Sequence, residues 1–180
     1  MSREHAERKA KETDLSRRTL QIGVIGSGRS HPAWDHWAHD VGEGIAKSGA
    51  VLVCGGLSGV MAAAARAASR GGGVTVGILP GANADEADEG ITIPVPTGLG
   101  EGRNLIVVQS SDALIAIGGG AGTLSEIGFA MKLHKPLVLL GSWQIHPPEG
   151  ADPIRMPLAA KTPAEAVQMA LHLAKEKVHH

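Results

Sequence analysis

The sequence predicts a single-domain α/β fold with a doubly wound parallel sheet, and three observations support this prediction. Strand and helix patterns alternate between residues 20 and 79, which is typical of parallel strands joined by right-handed crossovers. Residues 113–117 are apolar on both faces, as in a strand covered by helices on each side of a sheet. The chain has 180 residues, 43% of them hydrophobic, and its 25 glycines suit many tight turns between strands and helices.

Composition excludes several classes of function. The net charge of −1 and the aromatic content of 2% argue against nucleic-acid partners and anionic membranes. No apolar stretch approaches the ~20 residues that a membrane-spanning helix needs, and the polar N-terminus does not resemble a signal peptide. Cys54 is the only cysteine and lies in an apolar run, which indicates a buried, inert thiol. We therefore expect a cytoplasmic protein without a membrane partner.

The first half of the chain divides into a tail and three strands. Residues 1–18 are dense in charge and form a predicted polar tail, and the folded domain is expected to span residues 19–180. Strands are predicted at residues 20–25, 50–54 and 74–79, with helices at 33–47 and 60–69 between them. The first helix should bury Val41 and Ile45, together with Trp34 and either Trp37 or Ala38.

The second half begins with an interruption. Residues 80–100 are rich in glycine, proline and acidic residues, and we interpret them as a solvated loop. Beyond it, helices are predicted at residues 102–111 and from Thr123 to 134, with strands at 113–117 and 136–140. Residues 142–157 are expected to be irregular. A last helix begins at Pro163, where residues 162–165 have the form of a capping box.

Two apparent motifs are better explained as structural features than as a metal site or a dinucleotide site. His36 and His39 share a helix face, but no third ligand stands at a metal-binding spacing, so we predict no metal site. The turn at residues 26–31 resembles a dinucleotide fingerprint except that His31 occupies the place of its third glycine. A dinucleotide-dependent oxidoreductase is therefore disfavoured, also because no acidic residue follows soon after the second strand.

The strongest functional signal is the stretch from Asp112 to Glu126. The buried strand at 113–117 is followed by glycines that allow close approach of a ligand, and Thr123 is predicted to cap the next helix. A helix N-terminus at such a turn presents unpaired N–H groups and a positive dipole to an anion. The alternative is a plain turn in which glycine serves only tight packing.

Three glycine turns should meet at one edge of the sheet, because ligands of open parallel sheets bind beyond the carboxyl ends of the strands. Arg103 begins at the same edge and is predicted to grip a phosphate, while Glu126 would either stabilise an oxocarbenium-like transition state or position water. The alternative is an Arg103–Glu126 ion pair that only orders the turn. The predicted ligand-binding residues are Gly26, Ser27, Gly28, Gly55, Gly56, Gly59, Asn104, Gly119, Gly120, Ala121, Gly122 and Thr123.

Two motifs resemble those of a known family. Residues 118–126 read Gly-Gly-Gly-Ala-Gly-Thr-Leu-Ser-Glu, which is similar to the Pro-Gly-Gly-x-Gly-Thr-x-x-Glu signature of Lonely Guy-type phosphoribohydrolases, the lysine decarboxylase-like superfamily. Arg103 stands nine positions before Asp112, with Ser111 beside it, as in the second motif of that family. The resemblance covers residues 20–140. It implies a Rossmann-like fold, a dimer, and hydrolysis of a nucleoside 5′-monophosphate to base and ribose 5-phosphate without a required cofactor.

Two departures from the family pattern point to a sister branch. Gly118 replaces the proline of the signature, and Asn104 replaces a lysine that follows the arginine. Together with residues 98–104, these departures make the chain more similar to the branch that includes molybdenum-cofactor carrier proteins. Two hypotheses follow: an N-glycosidic hydrolase in which Arg103 holds phosphate and Glu126 acts at C1, or a non-catalytic carrier of molybdenum cofactor or another phosphorylated pterin or nucleotide.

Overall fold

The chain forms one seven-stranded, fully parallel sheet with five α-helices, as seen in a computed structural model that describes residues 18–150 and 155–178. The predicted tail therefore falls almost wholly outside the described residues. The strands are β1 Gln21–Gly26, β2 Val51–Cys54, β3 Thr75–Leu79, β4 Ile93–Pro96, β5 Ala113–Ile117, β6 Leu137–Leu140 and β7 Leu158–Ala160. The helices are α1 Pro32–Lys47, α2 Val60–Arg70, α3 Arg103–Ser110, α4 Ala121–Lys132 and α5 Pro163–Val178.

The strand order β4-β3-β2-β1-β5-β6-β7 makes the sheet doubly wound. The direction of winding reverses between β1 and β5, whose residues Ile22 to Gly26 pair with Ala113 to Ile117. One core cluster joins the sheet to α1, α2 and α5, and a second joins its other residues to α3 and α4. The predicted α/β, Rossmann-like class is confirmed, and the switch point lies where such sheets bind ligands.

Two strands were absent from the sequence-based prediction. β4 lies inside the segment predicted as a loop, and β7 follows the segment predicted as irregular. Both are edge strands of three or four residues with mostly exposed side chains, so neither has the apolar run of a buried strand. Pro94 and Pro96 also argue against a strand, yet an edge strand tolerates proline because one of its sides has no partner. The rest of the predicted loop at 80–100 contains short turns.

Helices α1 and α2 pack in close contact through Gly42. The predicted apolar face of α1 is confirmed for Ala38, Val41 and Ile45, which are fully buried, while Trp34 is only partly buried against the same cluster. A Cβ atom added to Gly42 would lie 2.1 Å from the backbone oxygen of Ala64 in α2. Because that neighbour is backbone, the two helices must separate to accommodate any side chain at this position.

We expect Gly42→Ala to destabilise the fold by about 1–3 kcal/mol, the usual cost of overpacking a core. Denaturant unfolding of the purified variant measures this change. The control is Gly128→Ala in α4, where an added Cβ meets nothing within 4 Å. That variant should gain up to about 1 kcal/mol from the better helix propensity of alanine. A Gly42→Ala protein as stable as wild type would contradict the close packing.

The last helix begins with the predicted capping residues. Thr162 accepts a hydrogen bond at Oγ1 from the backbone N–H of Glu165 at 3.2 Å. The Glu165 carboxylate in turn accepts from the N–H of Lys161 at 2.7 Å, one residue earlier than in the usual reciprocal box. No helix among the described residues is long and apolar enough to cross a bilayer.

Candidate functional site

A cavity of about 220 Å³ opens at the carboxyl edge of the sheet, beside the switch point. Its walls come from the turns after β1 and β2, the start of α2, the residues that open α3, and the first turns of α4. The turn after β2 leads directly into α2, so four separate segments of the chain meet here. The lining residues are Gly26, Gly28, Leu57, Ser58, Met61, Glu101, Arg103, Asn104, Gly122, Thr123 and Glu126.

The two N-terminal glycine turns are bound to each other. Ser58 donates from Oγ to the backbone oxygen of Gly28 at 2.8 Å, and the N–H of Val60 donates to the oxygen of Ser27 at 3.0 Å. Gly59 has a positive φ of 62°, and a Cβ there would lie 2.3 Å from the Ser27 oxygen. Glycine is therefore required at this contact for both backbone conformation and space.

Arg103 is a buried cation on the cavity wall. Only 8% of the residue is exposed, and its Nη1 donates to the backbone oxygen of Ile78 at 2.9 Å. Its Nε is buried and has no hydrogen-bond partner among the described residues. Gly55 leaves the space for this side chain, since a Cβ at Gly55 would lie 1.8 Å from Nη1. The cavity wall thus carries a fixed guanidinium, whose positive charge suits an anionic ligand.

Glu126 faces the same cavity and is 5% exposed. Burial raises the pKa of its carboxyl group to about 8, against the attraction of Arg103 and with a smaller contribution from the charge of Glu101. The acid is therefore largely protonated at neutral pH, since desolvation penalises its charged form. Within the described residues Arg103 and Glu126 form no salt bridge, which argues against the ion-pair alternative.

Asn104 connects two walls of the cavity. Its Nδ2 donates to the Oγ of Ser125 at 3.2 Å and, more weakly, to Oε2 of Glu101 at 3.4 Å. Ser125 itself donates from Oγ to the oxygen of Gly122 at 2.7 Å. The amide therefore holds the turn before α3 against the first turns of α4. A neutral group stands at this point, where the Lonely Guy-type motif has a lysine.

The predicted cap at Thr123 is wrong. Helix α4 begins at Ala121 with Gly120 as its N-cap, and Thr123 lies inside the first turn with 3% exposure. Gly118 and Gly119 have φ values of 56° and 128°, so the chain turns early enough for the helix to start before Thr123. The Thr123 side chain packs against Gly119 instead, where a Cβ would lie 2.7 Å from it.

The predicted site residues fall into two groups. Gly26, Gly28, Arg103, Asn104, Gly122, Thr123 and Glu126 line the cavity. The others do not line it: Ser27, Gly55, Gly56, Gly59, Gly119, Gly120 and Ala121. Gly119 lines a separate cavity with Trp34 and Trp143.

Four lining residues were not predicted: Leu57, Ser58, Met61 and Glu101. Leu57 and Ser58 lie within the second glycine turn, so the prediction that this turn reaches the site could have identified them. Glu101 stands two residues before Arg103, inside the segment used for the family resemblance. Met61 follows the turn on an alanine-rich helix and had no distinguishing signal.

The described residues contain no group of three or more potential metal ligands from His, Cys, Asp and Glu side chains. His36 and His39 on α1 both contact the Asp40 carboxylate, at 3.7 Å and 3.3 Å. All three side chains are substantially exposed. This arrangement is a solvated polar helix face.

Comparisons with known proteins identify the family of this chain and several relatives. The SLOG cluster4 family matches residues 19–171. An uncharacterized protein of Archaeoglobus fulgidus is 45% identical over 139 residues, which are 73% of this chain and 91% of that protein. The cytokinin riboside 5′-monophosphate phosphoribohydrolase of Mycobacterium tuberculosis is 36% identical over 118 residues, 59% of this chain and 62% of that enzyme.

A solved structure provides the corresponding comparison of folds. The molybdenum cofactor carrier protein of Chlamydomonas reinhardtii is 35% identical, with a TM-score of 0.76 over 88% of this chain and 99% of that one. The likeness therefore extends across nearly the whole of the carrier structure. The chain belongs to the SLOG cluster4 family, in the superfamily that unites Lonely Guy-type phosphoribohydrolases with a sister branch of molybdenum-cofactor carrier proteins.

Proposed function

We propose that this protein binds a nucleoside 5′-monophosphate and hydrolyses its N-glycosidic bond to give free base and ribose 5-phosphate. The observation that carries the proposal is the presence of a buried carboxyl group, Glu126, in the same cavity as the buried guanidinium of Arg103. One group suits the phosphate of such a ligand, and the other suits the bond to be broken. The relationship to a phosphoribohydrolase of Mycobacterium tuberculosis supports the same reaction class.

The phosphate would lie between Arg103 and the start of α4. The first N–H groups of a helix have no intrahelical partner, and here they belong to a glycine-rich turn that leaves room for an anion. The cavity of about 220 Å³ is smaller than the ~300–1,000 Å³ of common ligand pockets. It therefore suits the ribose phosphate part, with the base directed toward the opening.

Glu126 would act as the general acid. A carboxyl group with a pKa of about 8 retains its proton at neutral pH and can donate it to the leaving base. As the bond from C1′ to the base nitrogen breaks, its electron pair goes to the base, and a water molecule adds to C1′ and gives up one proton. The step uses water and side chains of this chain.

A carrier function is the second candidate, and Asn104 is the observation that favours it. The neutral amide reduces the positive charge available for phosphate, and it is already bound to Ser125. The likeness to the Chlamydomonas reinhardtii molybdenum cofactor carrier protein favours the same candidate. Under this proposal the cavity would hold molybdenum cofactor or another phosphorylated pterin or nucleotide without breaking a bond.

One experiment separates the two candidates. Purified protein is incubated with a panel of nucleoside monophosphates, and free base is followed by chromatography. Release that disappears in Glu126→Gln, but persists in the exposed-residue control Glu176→Gln, supports the hydrolase and identifies its substrate. Release that persists in Glu126→Gln contradicts the role of Glu126. Retention of a nucleotide or of molybdenum cofactor through gel filtration, with no base released, supports the carrier.

The pH dependence of turnover tests the acid role directly. If Glu126 must be protonated, kcat/KM should be high at neutral pH and fall as pH rises through about 8. If the ionised carboxylate is instead the active form, kcat/KM should rise over the same range. Initial rates between pH 6 and 9.5 distinguish the two directions, because kcat/KM reports ionisations of the free enzyme.

A further inference from the structure

A second carboxyl group, Glu101, lies on the wall of the same cavity. It belongs to the 3-10 turn Gly100–Gly102, which leads directly into α3 and Arg103. The cavity therefore has two carboxyl groups on different segments, one exposed and one buried. Hydrolytic enzymes commonly use two carboxyl groups in different environments, one as the acid and one as the base.

Asn104 forms a weak hydrogen bond to Glu101. The amide donates to Oε2 of Glu101 at 3.4 Å and to Oγ of Ser125 at 3.2 Å. Ser125 precedes Glu126 in α4, so the amide connects the segments that carry the two carboxyl groups. The neutral residue at position 104 thus has a positioning role, because one amide nitrogen donates to both segments.

Glu101 also acts electrostatically on Glu126. Its negative charge is one of the causes that raise the pKa of Glu126, after burial. An acid and a base that face one cavity assist each other, since the ionised group keeps its neighbour protonated. The carboxyl group of Glu126 is thereby favoured in the protonated state that its part of the reaction needs.

We infer that Glu101 is the catalytic base of the proposed hydrolysis, accepting a proton from the water that attacks C1′. This inference rests on the proposed function. The oxygen of water bonds to C1′ while the bond from C1′ to the base nitrogen breaks and its electron pair goes to the base. The proton of the water passes to Glu101, and the proton of Glu126 passes to the base. Proton exchange with solvent returns both groups to their starting states.

Few other charged or titratable groups face the cavity that Glu101 and Glu126 share. Arg103, on α3, is the one cation on the cavity wall among the described residues. The remaining wall residues have no titratable side chain: Gly26, Gly28, Leu57, Ser58, Met61, Asn104, Gly122 and Thr123. Cys54 at the end of β2 interacts with Arg103 and Glu126, but burial raises its pKa to about 12, so the thiol stays neutral.

The test compares Glu101→Gln and Glu101→Asp with wild type on the nucleotide that the panel identifies. Glutamine keeps an oxygen that can accept from Asn104 but cannot take a proton. We expect kcat to fall about 100-fold or more with little change in KM. The alkaline limb of the pH profile of kcat/KM should also move to lower pH. The reason is that the negative charge of Glu101, which contributes to the raised pKa of Glu126, is gone. Glu101→Asp should recover part of kcat and keep the limb near its wild-type position.

The outcomes are distinguishable. Unchanged kcat in Glu101→Gln would overturn the inference while leaving the proposed hydrolysis intact. A fall in kcat that Glu101→Asp does not recover at all would also overturn it, because the residue would then act through structure and not through its carboxylate. The pKa of Glu126 can be followed independently by NMR of its ¹³C-labelled carboxyl group, and it should drop in Glu101→Gln. Absence of base release by the wild type would instead count against the proposed function itself.

Discussion

The Glu126→Gln variant is expected to lose base release by about 10²–10⁴-fold and to unfold less readily than wild type at pH 9. The loss of activity follows from removal of the proton donor. The gain in stability has a separate cause, since the pKa of the carboxyl group rises from an ordinary value of 4.5 to about 8 in the fold. Activity and stability should therefore change in opposite directions at one residue.

The sign of the stability change follows from proton binding. Between pH 4.5 and 8 the unfolded chain releases the Glu126 proton while the folded chain retains it. The free energy of unfolding therefore falls as pH rises through this range, by at most about 5 kcal/mol at 1.36 kcal/mol per pKa unit. Glutamine has no proton to lose, so the variant should lack this decline and be several kcal/mol more stable than wild type at pH 9.

Denaturant unfolding at pH 5 and pH 9 measures this difference. The two proteins should be nearly equal at pH 5, where the carboxyl group is protonated in the fold and partly protonated in the unfolded chain. Glu176→Gln is the matched control, because that carboxylate is exposed and contacts only the ring of His172, at 3.3 Å, among the ion-pair partners of the described residues. Exposed pairs contribute about 0–1 kcal/mol, so its pH dependence should follow wild type. If the free energy of unfolding of Glu126→Gln fell with rising pH as much as that of wild type, the buried, protonated state of Glu126 would be contradicted.

The Gly55→Ala variant is expected to weaken nucleotide or phosphate binding by about 10–100-fold, because it displaces Arg103. The added Cβ would lie 1.8 Å from Nη1 and 2.6 Å from Cζ of the guanidinium. The side chain would have to leave its 2.9 Å hydrogen bond to the oxygen of Ile78. Hydrogen bonds of charged groups contribute about 1.5–3 kcal/mol, which corresponds to this range of affinity.

Equilibrium binding of inorganic phosphate and of the panel nucleotide, by calorimetry, checks the Gly55 prediction. Gly102→Ala serves as the control, because Gly102 adjoins Arg103 in sequence and its added Cβ meets only Leu99 Cβ, at 3.7 Å. Its φ of −59° and ψ of −22° also suit alanine. Thermal unfolding of each variant separates loss of fold from loss of binding. Wild-type affinity in a folded Gly55→Ala protein would show that Arg103 does not hold the anion.

Much of the fold could be predicted because the buried strands carry strong local signals. The run at 113–117 is apolar on both faces, and the structure covers it with helices from both core clusters. Strands β4 and β7 could not be predicted in this way, because edge strands bury little and do not need an apolar pattern. Their existence depends on pairing with β3 and β6, which are already in place.

The residues of the candidate site also differ in whether local sequence or tertiary structure identifies them. Arg103 and Glu126 were predicted from residue type and spacing, and the structure brings both to one cavity. Glu101 and Met61 escaped prediction because their place in the wall depends on where α3 and α2 lie relative to the sheet. Helix α4 begins earlier than predicted, because Gly118 and Gly119 have positive φ values. The sequence of a glycine run does not reveal which of its residues adopt positive φ. The raised pKa of Glu126 likewise arises from burial, which only the tertiary structure determines.

The prolines of β4 have a consequence for association between molecules. The N–H of Thr97 donates inward to the oxygen of Leu79, the residue paired with Pro96, and amide directions alternate along a strand. Pro94 and Pro96 therefore occupy the outward-facing amide positions, where they have no hydrogen to offer. Another polypeptide that approaches this margin of the sheet finds exposed Ile93 and Val95 but no outward donors. The fold thus resists self-templated aggregation along an edge that is otherwise apolar enough to attract it.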